Sequence, residues 1–304
     1  MDTAIKHHLN KTIINRQKLT GGYTFNTWLL TLSGGEKIIF RARQDFETGG
    51  GRKIIISDVL EREKFFYEGI NKKIGRFCPK VYVVDGSKQF YETSFCIMEY
   101  IEGIPLNQCF DSFDETHKNA ILYKIGEIAA QINGIKINCH HPYIKNRASW
   151  GEYMAGRLKE RLIPLLPSGA IRQDEAEDVI EKMRQAKDAF SFLHLDLRRI
   201  NMVYDPANHG LIILDAENCE FGCPLFEIAT IDVANELAPA LSAGYKSVHG
   251  HDPDMGGELY LCYKLERLAL VLNLFMNVNK TNKQQAGFYL DKFLETKNKL
   301  LFLK

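Results

Sequence analysis

The stretch FLHLDLRRINMVYDPANHGLIILD, residues 192–215, decides how the rest of the chain is read. It gathers His194, Asp196 and Asn201 in one short loop, passes through a Pro-Ala-Asn-His-Gly turn and ends an apolar run at Asp215. Two apolar runs around such a turn predict a hairpin, and a hairpin returns its ends to one place. Asn201 and Asp215 can therefore offer one Mg²⁺ two hard oxygen ligands. An alcohol is not ionised at neutral pH, so a carboxylate such as Asp196 is wanted to orient an attacking hydroxyl and take its proton late. With ATP phosphates beside the ion, these are the parts of a phosphoryl-transfer site. His194, two residues before Asp196, is expected to lock the loop by hydrogen bonding rather than to titrate.

Working outward, residues 13–43 read as consecutive antiparallel strands punctuated by Gly21-Gly22 and a Ser-Gly-Gly turn. Val59, Leu60, Phe66 and Ile70 recur at helical spacing within residues 54–74. Strands are predicted over 80–85 and 95–100, and Ile101-Glu102-Gly103 breaks the pattern. Beyond it, residues 114–133, 150–165, 174–187, 226–241, 258–277 and 283–300 all show helical periodicity. The expected class is α+β and bilobal: a small antiparallel lobe with one helix over 1–98, a hinge at 99–103, and a mainly helical lobe over 104–304.

Composition narrows the partners. A chain of 304 residues, 45% hydrophobic and 25% charged, has an ordinary globular make-up. A net charge of +1 gives no footprint for nucleic acid, which calls for a strongly basic face. The seven cysteines are odd in number and contain no Cys-x-x-Cys pair, a pattern of a reducing cytoplasm. The opening MDTAIKHHLNK lacks an apolar core of the signal-peptide kind, and the most apolar stretch, 265–278, is broken by Glu266, Arg267 and Asn273. Neither an export signal nor a membrane span is expected.

In the first lobe, Gly21 and Gly22 would let backbone approach a polyphosphate, with Thr24 and Asn26 adding side-chain donors, although two glycines at a hairpin are more often only a turn. Arg41 can neutralise phosphate charge and pair with Glu63 on the following helix. From spacing alone, a solvated strand charge and an exposed helix face fit these two residues better, and Arg43 shares the strand parity of Arg41. The backbone of Glu99 and Ile101, where a strand runs out into a linker, can pair with an adenine edge.

The pattern resembles the aminoglycoside phosphotransferase and choline kinase family, small-molecule kinases with a protein-kinase-like fold. LTGGYTFNTWLLTL is similar to its glycine-containing hairpin, IIFRAR to its third strand, LEREKFF to its helix acid, CIMEYIEG to its hinge, and FLHLDLRRIN with IILDAENCEFGCPLFEIA to its catalytic and metal segments. The resemblance implies ATP or GTP and Mg²⁺ as cofactors, Arg41 with Glu63 as the ion pair, Asp196 as the base, and Asn201 with Asp215 as metal ligands. Three positions depart from it. Leu195 stands where the family usually has glycine, Ala216 where an aromatic residue is common, and Glu227 where an Asp usually precedes the final two residues of the segment.

The acceptor must be read from the helical half. Carboxylates at Asp232 and Glu236, and at Asp252, Asp254 and Glu258 in a Gly-rich loop, suit a cationic hydroxylated acceptor by charge complementarity. The acidic run from Asp174 to Glu181 also carries Lys182 and Arg184 and reads as a solvated face. The pairs His249/His251 and His140-His141 lack a third ligand at metal-binding spacing. The resemblance places an aminoglycoside-type antibiotic first, ahead of choline or another amino alcohol, a sugar or a macrolide. Leu195 favours a reading of another class, a weakly catalytic nucleotide-binding regulatory module; Asp196, Asn201 and Asp215 argue against it.

Overall fold

The computed structural model describes the chain apart from residues 20–24, 48–52, 145–146, 148, 279–281 and 304. It folds as two compact units. The first joins Met1–Phe110 with Arg199–Cys219, and the second joins Asp111–Arg198 with Glu220–Lys304.

The first unit is built on a five-stranded antiparallel sheet of β1 (Ile13–Leu19), β2 (Asn26–Leu32), β3 (Lys37–Arg43), β4 (Val81–Asp85) and β5 (Ser94–Glu99), in the order β1-β2-β3-β5-β4. Alternation along β3 sets its two faces. Ile38, Phe40 and Ala42 join Phe95 and Ile97 of β5 in a core covered by Ala4 and Ile5 of α1 (Asp2–Leu9). Arg41, of opposite parity, meets α2 (Ile56–Lys73), which buries Leu60, Glu63, Phe66, Tyr67 and Ile70. The same unit holds a second ribbon, in which β8 (Met202–Asp205) pairs with β9 (Gly210–Ile213) and with a two-residue strand β6 (Ile104–Pro105). The Ile213 N–H donates to the Phe77 carbonyl at 2.7 Å, fastening this ribbon to the segment after α2.

The second unit is mainly helical. It contains α3 (Glu115–Gly134), α4 (Trp150–Leu162), α5 (Gln173–Arg184), α6 (Pro224–Val233), α7 (Pro239–His249), α8 (Glu258–Asn273) and α9 (Lys283–Phe302). A short pairing of β7 (Ser191–Leu193) with β10 (Glu220–Gly222) places the loop after Leu193 beside the start of α6.

One expectation needs correction. The periodic run 226–241 is not one helix: α6 stops at Val233, Asn235 takes a left-handed φ of 60°, and α7 begins at Pro239. Proline lacks an N–H and is accepted at a helix start but not inside one, so apolar spacing continued where the backbone could not. Glu258, the last of the loop carboxylates and the first residue of the periodic run 258–277, opens α8. Among the described residues no helix is long and apolar enough to cross a membrane.

Candidate active site

Each unit carries part of the constellation nominated from sequence. In the first, Arg41 lies almost fully buried and donates through Nη1 to both oxygens of Glu63, at 2.9 and 3.1 Å, and through Nη2 to Asp215 Oδ1 at 2.9 Å. Burial alone would favour loss of its proton, but Glu63 and Asp215 outweigh that and hold the guanidinium charged. Glu63 also accepts from the Tyr67 hydroxyl and the Ala216 N–H. Its buried charge is thus satisfied from several sides, as a buried carboxylate requires. Arg43 instead lies over the Phe46 ring, its guanidinium carbon 3.9 Å from the centroid.

Asn201 closes a 3₁₀ turn before β8, and its carbonyl accepts the Leu214 N–H at 2.8 Å. The hairpin therefore brings Asn201 and Asp215 to the same end of one ribbon. Asp215 adopts a left-handed φ of 61°, a conformation that Asp tolerates better than most side chains. An amide oxygen and a carboxylate are hard donors, and together with phosphate and water oxygens they make the set that Mg²⁺ takes; the residues fit the ion.

The second unit holds Asp196. Its carboxylate is gripped by Arg198, with Nη2 2.9 Å from Oδ2. His194 is fully buried, and its Nδ1 accepts the Asp196 N–H at 3.2 Å. Glu227 of α6 accepts the N–H groups of both His194 and Leu195. Burial raises the Glu227 carboxyl to about 7, against the opposing pull of those two N–H groups and of Arg267.

Among the other nominated residues, Gly21, Gly22 and Thr24 lie outside the described residues. Asn26 opens β2, exposed and opposite Ala42. Glu99 ends β5, its side chain bound to Arg76 and accepting the Lys80 N–H, and the chain runs on through Ile101 with neither helix nor strand. Asp232 is paired with Lys264, Asp252 with Lys246, and Glu258 with Lys182. Glu236 follows α6, and Asp254 packs its carboxylate against Gly257. Sequence reasoning passed over Tyr67 and Arg198. The Tyr67 position, four residues after Glu63 on one helix, was the available signal.

An antiparallel sheet with one long helix, a catalytic-loop motif and a helical second unit define a protein-kinase-like phosphotransferase. The sequence model of the phosphotransferase enzyme family matches residues 16–254. The chain belongs to that family and is a small-molecule kinase. No curated protein sequence matches it. Similar solved structures include a candidate aminoglycoside phosphotransferase from Ralstonia eutropha JMP134, with a TM-score of 0.69 and 14% identity over 98% of this chain and 97% of that one. A candidate fructosamine-3-kinase from Thermobifida fusca YX-ER1 gives a TM-score of 0.65 and 14% identity over 99% and 98%. A thermostable mutant of aminoglycoside phosphotransferase APH(4)-Ia, in ternary complex with ADP and hygromycin B, gives 0.66 and 12% over 97% of each chain. At these identities the likeness is one of fold.

Proposed function

We propose that the chain transfers the γ-phosphate of ATP, or of GTP, to a hydroxyl of a small molecule. The observation that carries this reading is the hairpin that sets Asn201 and Asp215 at one end, with Asp215 bonded to Arg41, which Glu63 holds in turn. Asn201 and Asp215 would hold Mg²⁺, which when bound neutralises charge on the β- and γ-phosphates. Arg41 adds a fixed cation for phosphate, kept in place by Glu63. Asp196, oriented by Arg198 and by the His194 ring, accepts the proton of the acceptor hydroxyl as its oxygen bonds to the γ-phosphorus. The bond from that phosphorus to the β–γ bridging oxygen breaks, and ADP leaves with the electron pair. Arg198 supplies positive charge beside the hydroxyl being deprotonated.

An aminoglycoside-type acceptor is favoured by the company the fold keeps, since one similar structure is a complex with hygromycin B. A specific observation favours an acceptor without a positive charge, such as a sugar. Three of the carboxylates nominated to hold a cation are already matched with lysines of the same chain.

The test is a thermal-shift titration followed by turnover. Mg·ATP should raise the melting temperature by mass action. Asp196→Asn should keep that shift while losing most acceptor phosphorylation, and Asp215→Ala should lose the Mg²⁺-dependent part of the shift. Full turnover by Asp196→Asn would remove Asp196 from the role of base.

A further inference from the structure

Four arginines of the second unit gather around two buried carboxylates. Arg147 and Arg157 approach Glu220 to 3.7 and 3.9 Å. Arg157 bonds Glu266 at 3.1 Å, Arg161 bonds the same carboxylate, and Arg267 Nε stands 3.7 Å from it. All six side chains are largely withdrawn from water, so positive charge is left over where it is poorly screened. Arg267 is the least satisfied of the four. Its Nε and Nη2 are buried and find no hydrogen-bond partner among the described residues. Its guanidinium carbon lies 4.4 Å from the centroid of the Phe226 ring on α6.

Glu227, the next residue of α6, is fully buried and accepts the N–H groups of His194 and Leu195. The charged and titratable groups around it come from three elements. Arg267 of α8 favours its anion and Asp196 of the loop opposes it. Tyr245 of α7 spends its hydroxyl on Asn133, and His194 gives Nδ1 to the Asp196 N–H. A carboxylate accepts an N–H about twice as strongly as a neutral group does, and a protonated carboxyl turns one oxygen into a donor. Two N–H groups on one side chain therefore call for the anion, and the surplus guanidinium of Arg267 is the cation that supports it.

We propose that Arg267 is a positioning residue of this kinase: from α8 its charge holds Glu227 as the anion that grips the backbone of His194 and Leu195, and so sets the place of Asp196. The proposal rests on the kinase reading above for what that loop does. Arg267 touches neither nucleotide nor acceptor in this role and acts through Glu227.

The experiment follows the amide proton resonances of His194 and Leu195 in the isotope-labelled full chain between about pH 5 and 9, since an N–H bonded to a carboxyl moves downfield as that carboxyl ionises. In the unsubstituted chain both should move with one midpoint, at about 7. Glu227→Gln should abolish the movement. Arg267→Met and Arg267→Gln, each of which removes the charge, should raise the midpoint by about one pH unit or more, and Arg267→Lys, which keeps it, should restore most of the difference. Either charge-free variant serves if the other does not fold. A residue that only fills space beside Phe226 would alter the melting temperature without moving the midpoint. A midpoint unmoved in the charge-free variants, or moved as far by Arg267→Lys, overturns the proposal, as do amides that stay still across this range in the unsubstituted chain. Absence of any Mg·ATP melting shift in the unsubstituted chain removes the kinase reading instead, and the midpoint still decides whether Arg267 governs Glu227.

Discussion

Leu195 donates its backbone N–H to both carboxylate oxygens of Glu227, at 2.9 and 3.2 Å. The bond fixes the residue just before Asp196 from a helix more than thirty positions away in the chain, so the loop around Asp196 takes its shape from α6 as well as from its own sequence. Glu reaches in here where the family pattern has the shorter Asp, and both oxygens still find N–H partners.

Glu227 should make stability depend on pH in a definite direction. Its folded carboxyl titrates near 7, against an ordinary value of 4.5. Below pH 4.5 both folded and unfolded chains carry the proton. As pH rises from 4.5 to 7 only the folded chain retains it, so stability falls; above 7 the loss is complete at about 3 kcal/mol. Glu227→Gln cannot titrate. Denaturant melts of both proteins between pH 4.5 and 8 should show their stability difference shifting against the wild type by that order, and a difference independent of pH would contradict the assignment.

Leu195 should invert the usual order of truncation. It holds a left-handed φ of 63° while its side chain is buried. Alanine loses the packing, typically about 2–5 kcal/mol for a buried Leu, and keeps most of the backbone strain. Glycine loses the same packing but relieves roughly 1–2 kcal/mol of strain. Leu195→Gly should therefore be the more stable of the two by about 1 kcal/mol, although glycine is ordinarily the more damaging substitution. Urea titration of both variants decides it.

These cases show where the sequence was readable. The antiparallel sheet, its helix and the helical half follow from periodicity and turn residues, because those signals are local. Arg41 and Arg43 could not be separated, since both lie on one strand face; what distinguishes them is Glu63 on α2, a contact between elements. The pairing of Asp232 with Lys264, and of Glu258 with Lys182, was equally hidden. A carboxylate cluster looks uncompensated in sequence until the fold delivers lysines from distant helices. The break between α6 and α7 was written in Pro239, but the apolar spacing ran across it.

Arg41 and Glu63 should behave as a unit. Arg41→Met leaves the buried Glu63 carboxylate without its main counter-charge, a loss of about 3–5 kcal/mol for a pair of this kind. Glu63→Gln strands the guanidinium less severely, because Asp215 remains beside it. In the double variant Arg41→Met/Glu63→Gln no charge is left unpaired between these two positions, and stability should recover by at least about 1 kcal/mol over Arg41→Met alone. Additive losses in the cycle would show that the pair is not energetically coupled.

Helices α3 and α7 cross where two glycines face carbonyls. A Cβ at Gly126 would lie 2.0 Å from the Leu241 carbonyl oxygen, and one at Gly244 would lie 1.9 Å from that of Tyr123. Neither oxygen belongs to a movable side chain, so even one methyl group must push the helices apart. Gly126→Ala and Gly244→Ala should each cost about 3 kcal/mol, the upper end of ordinary overpacking. Gly156, within α4, has nothing within 4 Å of the same position. Gly156→Ala should instead stabilise by roughly 0.5–1 kcal/mol through helix propensity alone. Melting temperatures of the three single variants test the pair of signs, and a Gly126→Ala protein as stable as the parent would mean that the two helices do not approach so closely.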